Sequence, residues 1–392
     1  MKKLLILSLG VIVCFCFSGC QLLTSDDSEN LEFHENAAYD SEMIDEDNDS
    51  FIFTWLSYME IQVTDVLKEK NDYCGYAESL FLKMKQAGVT DCFVQVRPFA
   101  DALYSSEIFP QSRYSQKADF DVLRVITDVA AKHSIKVHAW VNPYRLCDNT
   151  ADKKPFSEEQ LRQRYGKAAD EIITTPSGMF FNPSALCVQQ MIIDGARELL
   201  ENYDLQGIHI DDYFYPPDMY SADEMQFEAY RKNGGRKALA QWRRENVSNL
   251  VRSLYIAVKE YGEEKIFSIS PSGNIDKNEN QLYADVRLWC SEEGYCDIIL
   301  PQLYFGFLNS SQPFEKCLDE WMKLCRNSQV KLIPGLALYK RGISDEFAGE
   351  AGRDEWVMND DVIQRQIKKI KDEKLGGFAL YSASYINFSE TF

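Results

Sequence analysis

The stretch "GIHIDDYFYP" (207–216) joins a short apolar strand to two adjacent aspartates and a run of aromatics. Side chains on a strand alternate between its two faces. Ile208 and Ile210 therefore share one face, while His209, Asp211 and Tyr213 share the other. The apolar face belongs under helices, which turns Asp211 toward the opposite side. What lies on that side depends on the company the strand keeps.

Seven further β-rich runs keep it company. They are "FIFTWLSY" (51–58), "DCFVQVRPF" (91–99), "IKVHAWVNP" (135–143), "KIFSISPS" (265–272), "CDIILPQLY" (296–304), "VKLIPGLAL" (330–338) and "GGFALYSAS" (376–384). Segments with helical spacing separate them, among them 77–88, 120–134, 185–203, 239–261 and 360–374. Alternating strands and helices predict a parallel α/β fold. Eight strands is the number that closes a (β/α)8 TIM barrel. A doubly wound open sheet would carry a glycine-rich phosphate turn after its first strand, and "WLSYMEIQ" has none. Only "YINFSETF" follows the eighth run, so the last helix is expected to be short or absent.

In such a barrel, functional groups gather at the C-terminal ends of the strands. Alternation aims Gln95 and Arg97 inward from the second run, and His138, Trp140 and Asn142 from the third. It does the same for Ser268 and Ser270 of the fifth run and for Gln302 and Tyr304 of the sixth. Five strands thus present polar or aromatic groups on one parity, which predicts a polar, aromatic-lined mouth. Asp211 points into it. Asp212 falls on the other parity, where it would cap the next segment, pair with Arg97 or Arg145, or raise a neighbouring acid by repulsion.

The chain has 392 residues, 45% hydrophobic and 13% aromatic, enough for a large core. Lys2 and Lys3 precede the apolar run "LLILSLGVIVCFCF", and small residues follow, the pattern of a secretory signal over residues 1–19. "FSGC" (17–20) resembles the lipobox of bacterial lipoproteins, which makes Cys20 the expected lipidation site and membrane anchor. A plain secretory signal is the alternative, and either implies an extracytoplasmic location. Residues 20–50 hold eleven acids and no Lys or Arg, supplying 11 of the 19 net negative charges. They are expected to form an extended, solvated linker, leaving 51–392 as one domain. The overall acidity argues against a nucleic-acid partner. Of eleven cysteines, Cys14 and Cys16 fall in the signal and the eight beyond Cys20 show no zinc spacing, so mostly free thiols are expected. No phosphate loop, HExxH or EF-hand suggests a cofactor or metal.

Several motifs together carry a family resemblance. "FFNPSALCVQQMIIDGARELLENYDLQGIHIDDYFYP" (180–216), "VHAWVNPYR" (137–145), "QVRPFADALYSSEIFP" (95–110), "WRRENV" (242–247), "SISPSGN" (268–274) and "YADVRLWCSEEGYCDIILPQLYFG" (283–306) resemble the glycosyl hydrolase-like 10 family. The resemblance implies a (β/α)8 barrel, often lipid-anchored, that hydrolyses glycosidic bonds, with peptidoglycan glycan strands a suggested substrate class. "GIHID" is also similar to the strand-four ending of α-amylase-type barrels, which points to Asp211 as nucleophile or electrostatic stabiliser. Those enzymes keep their acid at the end of strand five, where this chain has Ser268, Ser270 and Ser272.

Glycoside hydrolysis needs two carboxyl groups about 5–9.5 Å apart. Neighbours on a strand project to opposite faces, which argues against Asp211 and Asp212 as that pair. The second is sought among Glu60, Asp101, Glu107, Asp218 and Asp276, with Asp101 the first choice and Asp212 kept as a further catalytic candidate. Trp55, Trp140, Tyr213, Tyr215 and Tyr304 would stack on sugar rings. Arg97, His138, Asn142, Arg145, His209 and Gln302 would bind polar substituents of the glycan. A barrel that binds glycan without cleaving it is the alternative, and a metal-assisted hydrolase using His138, His209 and Asp211 is a third reading.

Overall fold

The computed structural model describes residues 51–148, 157–216, 223–325, 329–388 and 390–392. The signal, Cys20 and the acidic linker lie outside them. All eight β-rich runs form strands: β1 Phe51–Leu56, β2 Asp91–Arg97, β3 Lys136–Val141, β4 Gly207–Ile210, β5 Ile266–Ile269, β6 Ile298–Ile299, β7 Lys331–Leu332 with Gly335–Leu336, and β8 Gly377–Leu380. Each pairs in parallel with its sequence neighbour, and β8 returns to β1. The seventh strand breaks at Pro334, which has no N–H to give the ladder. Its first half pairs with β6 and its second with β8, and Gly335 N–H to Pro301 O (2.9 Å) keeps contact with the β6 side beyond the break. The sheet therefore closes as a barrel.

Helices follow the first seven strands: α1 Lys70–Gln86, α2 Val122–Lys132, α3 Leu186–Asn202, α4 Leu239–Lys259, α5 Val286–Ser291, α6 Phe314–Leu324 and α7 Val362–Asp372. After β8 comes the short 3-10 turn Ala383–Tyr385. Spacing explains the burial. In α3, Val188, Ile192, Ala196 and Leu199 recur along one stripe and are buried. The Asp121 carboxylate accepts the Arg124 N–H at 3.0 Å and starts α2.

Two apolar cores result. Outward residues such as Val94, Val137, Ala139, Ile208, Ile210 and Phe267 merge with the helices. Phe53, Trp55, Phe93, Trp140, Ile298, Leu300, Ile333 and Ala379 fill the lumen as a second cluster. Phe93 stacks between Phe53 (4.9 Å) and His209 (3.9 Å), so the barrel is packed below its mouth. Two strands begin at glycines because their neighbours run too close for a side chain. A Cβ on Gly207 would sit 1.8 Å from the Ile266 carbonyl oxygen, and one on Gly377, at φ +142°, 2.0 Å from that of Phe51.

Two parity expectations change. The register of β2 shifts at a bulge, with Gln95 opposite Trp140 but Arg97 opposite Val141. An extra residue flips every later side chain, so Arg97 turns outward with Val141 and not into the mouth. Strand β4 ends at Ile210, so alternation no longer governs Asp212. A three-stranded antiparallel sheet (Arg145–Asp148, Ile172–Thr175, Gly178–Phe181), too short to stand out in the sequence, is inserted between β3 and α3. It carries Arg145 to the rim.

Candidate active site

Asp211 follows the last residue of β4 and is 3% exposed. Burying a carboxylate requires donors, and β3 provides them. Trp140 Nε1 donates to Oδ2 at 3.0 Å, and Asn142 Nδ2 reaches Oδ1 at 2.9 Å and Oδ2 at 2.7 Å. The Tyr213 N–H adds a contact to Oδ1 at 3.2 Å. Burial first, then the charge of Asp212, pushes Asp211 up to about 7, against the pull of these donors. A carboxyl that ionises near neutrality, held by N–H groups at a barrel mouth, suits chemistry that alternates between charge and proton.

Asp212 is half-buried and faces the same mouth. Burial raises it too, while Lys277, the Gln302 side chain and Arg145 favour its anion. Tyr304 feels the charges of both aspartates. The neighbours thus form one interacting dyad, whose ionisations belong to the pair. Donors engage both members, Trp140, Asn142 and the Tyr213 N–H on Asp211 and the Gln302 side chain on Asp212, so a charge on either is stabilised.

Beneath the dyad, Trp55 Nε1 donates to His209 Nε2 at 3.0 Å. An indole N–H only donates, so the proton of His209 sits on Nδ1 and goes to Ser268 Oγ, 2.8 Å away. Burial and His138 hold His209 far below the usual imidazole range, so it is neutral. His138 Nε2 pairs with Asp91 Oδ1 at 3.0 Å, both fully buried. These two histidines belong to the packed lumen. Among the described residues no group of three or more His, Cys, Asp or Glu side chains could hold a metal ion.

Aromatics wall the mouth. Arg145 lies between the rings of Phe99 (4.6 Å) and Tyr213 (4.8 Å), and Tyr213 is 40% exposed. Opposite, Tyr304, Tyr339 and Tyr381 contact one another at 5.9–6.0 Å, and Tyr381 reaches Trp55 at 6.0 Å. Tyr339 and Tyr381 were not singled out in the sequence. For Tyr381 the signal was available: in "GFALYS", Phe378 and Leu380 share one parity, Ala379 and Tyr381 the other.

Other sequence candidates lie elsewhere. Arg97 is 2% exposed, lies over the Phe109 ring at 4.5 Å, and is lowered to about 10 by burial. Asp101 is lifted to about 6 by burial, and the groups around it are Ser112, Arg113 and Arg97 rather than the dyad. Tyr215 packs behind the mouth against Tyr283 and Arg243. Glu60 is a clamp: its carboxylate accepts from Ser57 N (2.7 Å), Ser384 N (2.7 Å) and Ser382 Oγ (3.1 Å), joining the ends of β1 and β8. Glu107 donates its N–H to Glu198 on α3, and Asp276 is exposed. Asp218 lies outside the described residues.

Comparison with known proteins agrees with the barrel fold. The glycosyl hydrolase-like 10 family profile matches residues 75–349. Glycosyl hydrolase YngK of Bacillus subtilis is 28% identical over 329 residues, covering 78% of this chain and 62% of YngK, so the chain spans about three fifths of that relative. Glycosyl hydrolase DigH of Escherichia coli is 29% identical over 342 residues, covering 79% and 75%. In fold, the chain resembles the PgaB (BpsB) glycoside hydrolase domain of Bordetella bronchiseptica (TM-score 0.56, 12% identity, 86% and 95% covered). It is similarly close to the β-amylase catalytic domain of Paenibacillus polymyxa (TM-score 0.57, 11% identity, 86% and 94% covered).

Proposed function

Because the chain belongs to the glycosyl hydrolase-like 10 family, we propose that it is a lipid-anchored, extracytoplasmic glycosidase that cleaves cell-envelope glycan, with peptidoglycan glycan strands as its substrate class. A glycosidase-type function has the support of the family and of the barrel. The observation that supports cleavage is Asp211, a buried carboxyl ionising at about 7 between aromatic walls.

In this reading the Asp211 carboxylate faces the anomeric carbon as nucleophile or as stabiliser of the oxocarbenium-like state. Asp212 is the acid that protonates the leaving oxygen. Like-charge repulsion disfavours the doubly ionised pair, so one proton stays in the site for this step. Tyr213, Tyr304, Tyr339 and Tyr381 stack on sugar rings, and Arg145 and Gln302 bind polar ring substituents. The second carboxyl thus comes from the adjacent residue and not from Asp101. Cys20 anchors the domain, and the acidic linker spaces it from the membrane.

The test is incubation of the purified chain with isolated peptidoglycan glycan, with and without stem peptides, followed by mass spectrometry of soluble products. New reducing-end fragments are expected. The glycan-binding alternative is favoured by one feature: the end of β5 carries buried Ser268, Ser270 and Ser272 and no carboxylate. Retention on immobilised glycan without any cleavage would put that alternative ahead.

A further inference from the structure

The amide of Asn142 can meet Asp211 in two ways. With NH2 forward it donates to the carboxylate; turned over, it sets a carbonyl oxygen against it. The two faces are nearly isosteric, so a neighbour must decide. Asn142 is fully buried, and its Oδ1 accepts from Gln95 Nε2 at 2.8 Å. Gln95, 4% exposed, is an amide with the same ambiguity. Its Oε1 accepts from the backbone N–H of Tyr58 at 3.2 Å, and a backbone N–H only donates. Direction is thereby set at one end and passed along the chain: Tyr58 N–H to Gln95 oxygen, Gln95 NH2 to Asn142 oxygen, Asn142 NH2 to Asp211.

We propose that Gln95 is a positioning residue that fixes the orientation of the Asn142 amide and so keeps an N–H donor on the Asp211 carboxyl. It acts through Asn142 and not on either aspartate directly. It stands on β2 below the bulge, where Gln95 is still in register with Trp140, the other side-chain donor to Asp211. The bulge follows immediately and takes Arg97 away, so Gln95 is the last inward residue of β2. The chain also begins at the rim, because Tyr58 packs against Tyr114 (4.6 Å) and Phe99 (5.7 Å), the ring beneath Arg145.

Gln95→Glu is the sharpest test, since it preserves volume while replacing the donor with a second acceptor. Both oxygens of the new carboxylate accept, so Asn142 must turn its NH2 toward position 95 and its own oxygen toward Asp211. The expected result is a rise of about one pH unit in the Asp211 ionisation, the size of one lost hydrogen bond to a charged group. It is read directly from the carboxyl carbon of 13C-labelled aspartate, with the Asp211 signal identified by its loss in Asp211→Asn. This titration needs no substrate, so it stands even if the glycosidase reading, on which only the kinetic test rests, should fail. In kinetics, the limb of kcat/KM that reports Asp211 should move up with the titration. Gln95→Met removes the donor without adding a charge. It separates orientation from repulsion, serves should the first variant fail to fold, and should move the same midpoint upward by a smaller amount. An unchanged Asp211 midpoint in the folded variants would overturn the proposal, as would a loss of rate with the Asp211 limb where it was.

Discussion

At the scale of single residues, Asp211 is held in tension. Its donors favour the anion, while burial and Asp212 oppose it, and the opposition wins, leaving the carboxyl at about 7 against an ordinary 3.8. The folded state therefore binds more protons than the unfolded chain between those values, so this group's contribution to stability declines as pH rises through that window. Three units correspond to an upper bound of about 4 kcal/mol. Chemical denaturation of wild type and Asp211→Asn at pH 4 and pH 8 should show the wild type losing stability relative to the variant as pH rises. A difference that is the same at both pH values would contradict the assignment. Much of this site was legible beforehand. Asp211, Trp140, Asn142 and His209 were placed by alternation because β3 and β4 are regular. Arg97 was misplaced because a bulge leaves no mark in composition, and Asp212 because a strand's last residue is not written in its alternation.

At the scale of elements, close strand contacts and one buried ion pair carry clear predictions. Gly207→Ala puts a methyl into the Ile266 carbonyl at the start of β4, the strand that aims Asp211. Backbone cannot yield there without breaking the β4–β5 ladder, so a loss of more than about 3 kcal/mol in denaturant unfolding, or failure to fold, is expected. Asp223, at the start of the helix Glu224–Lys232, binds Arg243 of α4 through two bonds of 2.8 and 2.5 Å, both side chains almost wholly buried. Asp223→Ala strands the guanidinium and should cost about 3–5 kcal/mol. A smaller loss would mean that Tyr283, which accepts from Arg243 at 2.9 Å, suffices to satisfy it. The major helices were legible from their apolar stripes. The inserted three-stranded sheet was not, since its four-residue strands are below the length at which alternation can be told from chance.

At the scale of the whole molecule, the barrel strands and the major helices of the described residues follow the order that the sequence announced, and closure falls at the strand broken by Pro334. Periodicity reveals that strands exist, and only their count and the absence of a phosphate turn favoured a barrel. The proposed anchor makes a prediction at this scale: a full-length chain expressed in a bacterial host should sediment with membranes, and Cys20→Ala should move it to the soluble fraction. A soluble wild type would argue against lipidation. The central claim is that Asp211 serves glycosidic cleavage, and the most direct measurement is reducing-end release from peptidoglycan glycan by wild type and Asp211→Asn, with thermal melting of both. The account predicts release by wild type and none by the folded variant. Equal release by the two proteins would contradict it.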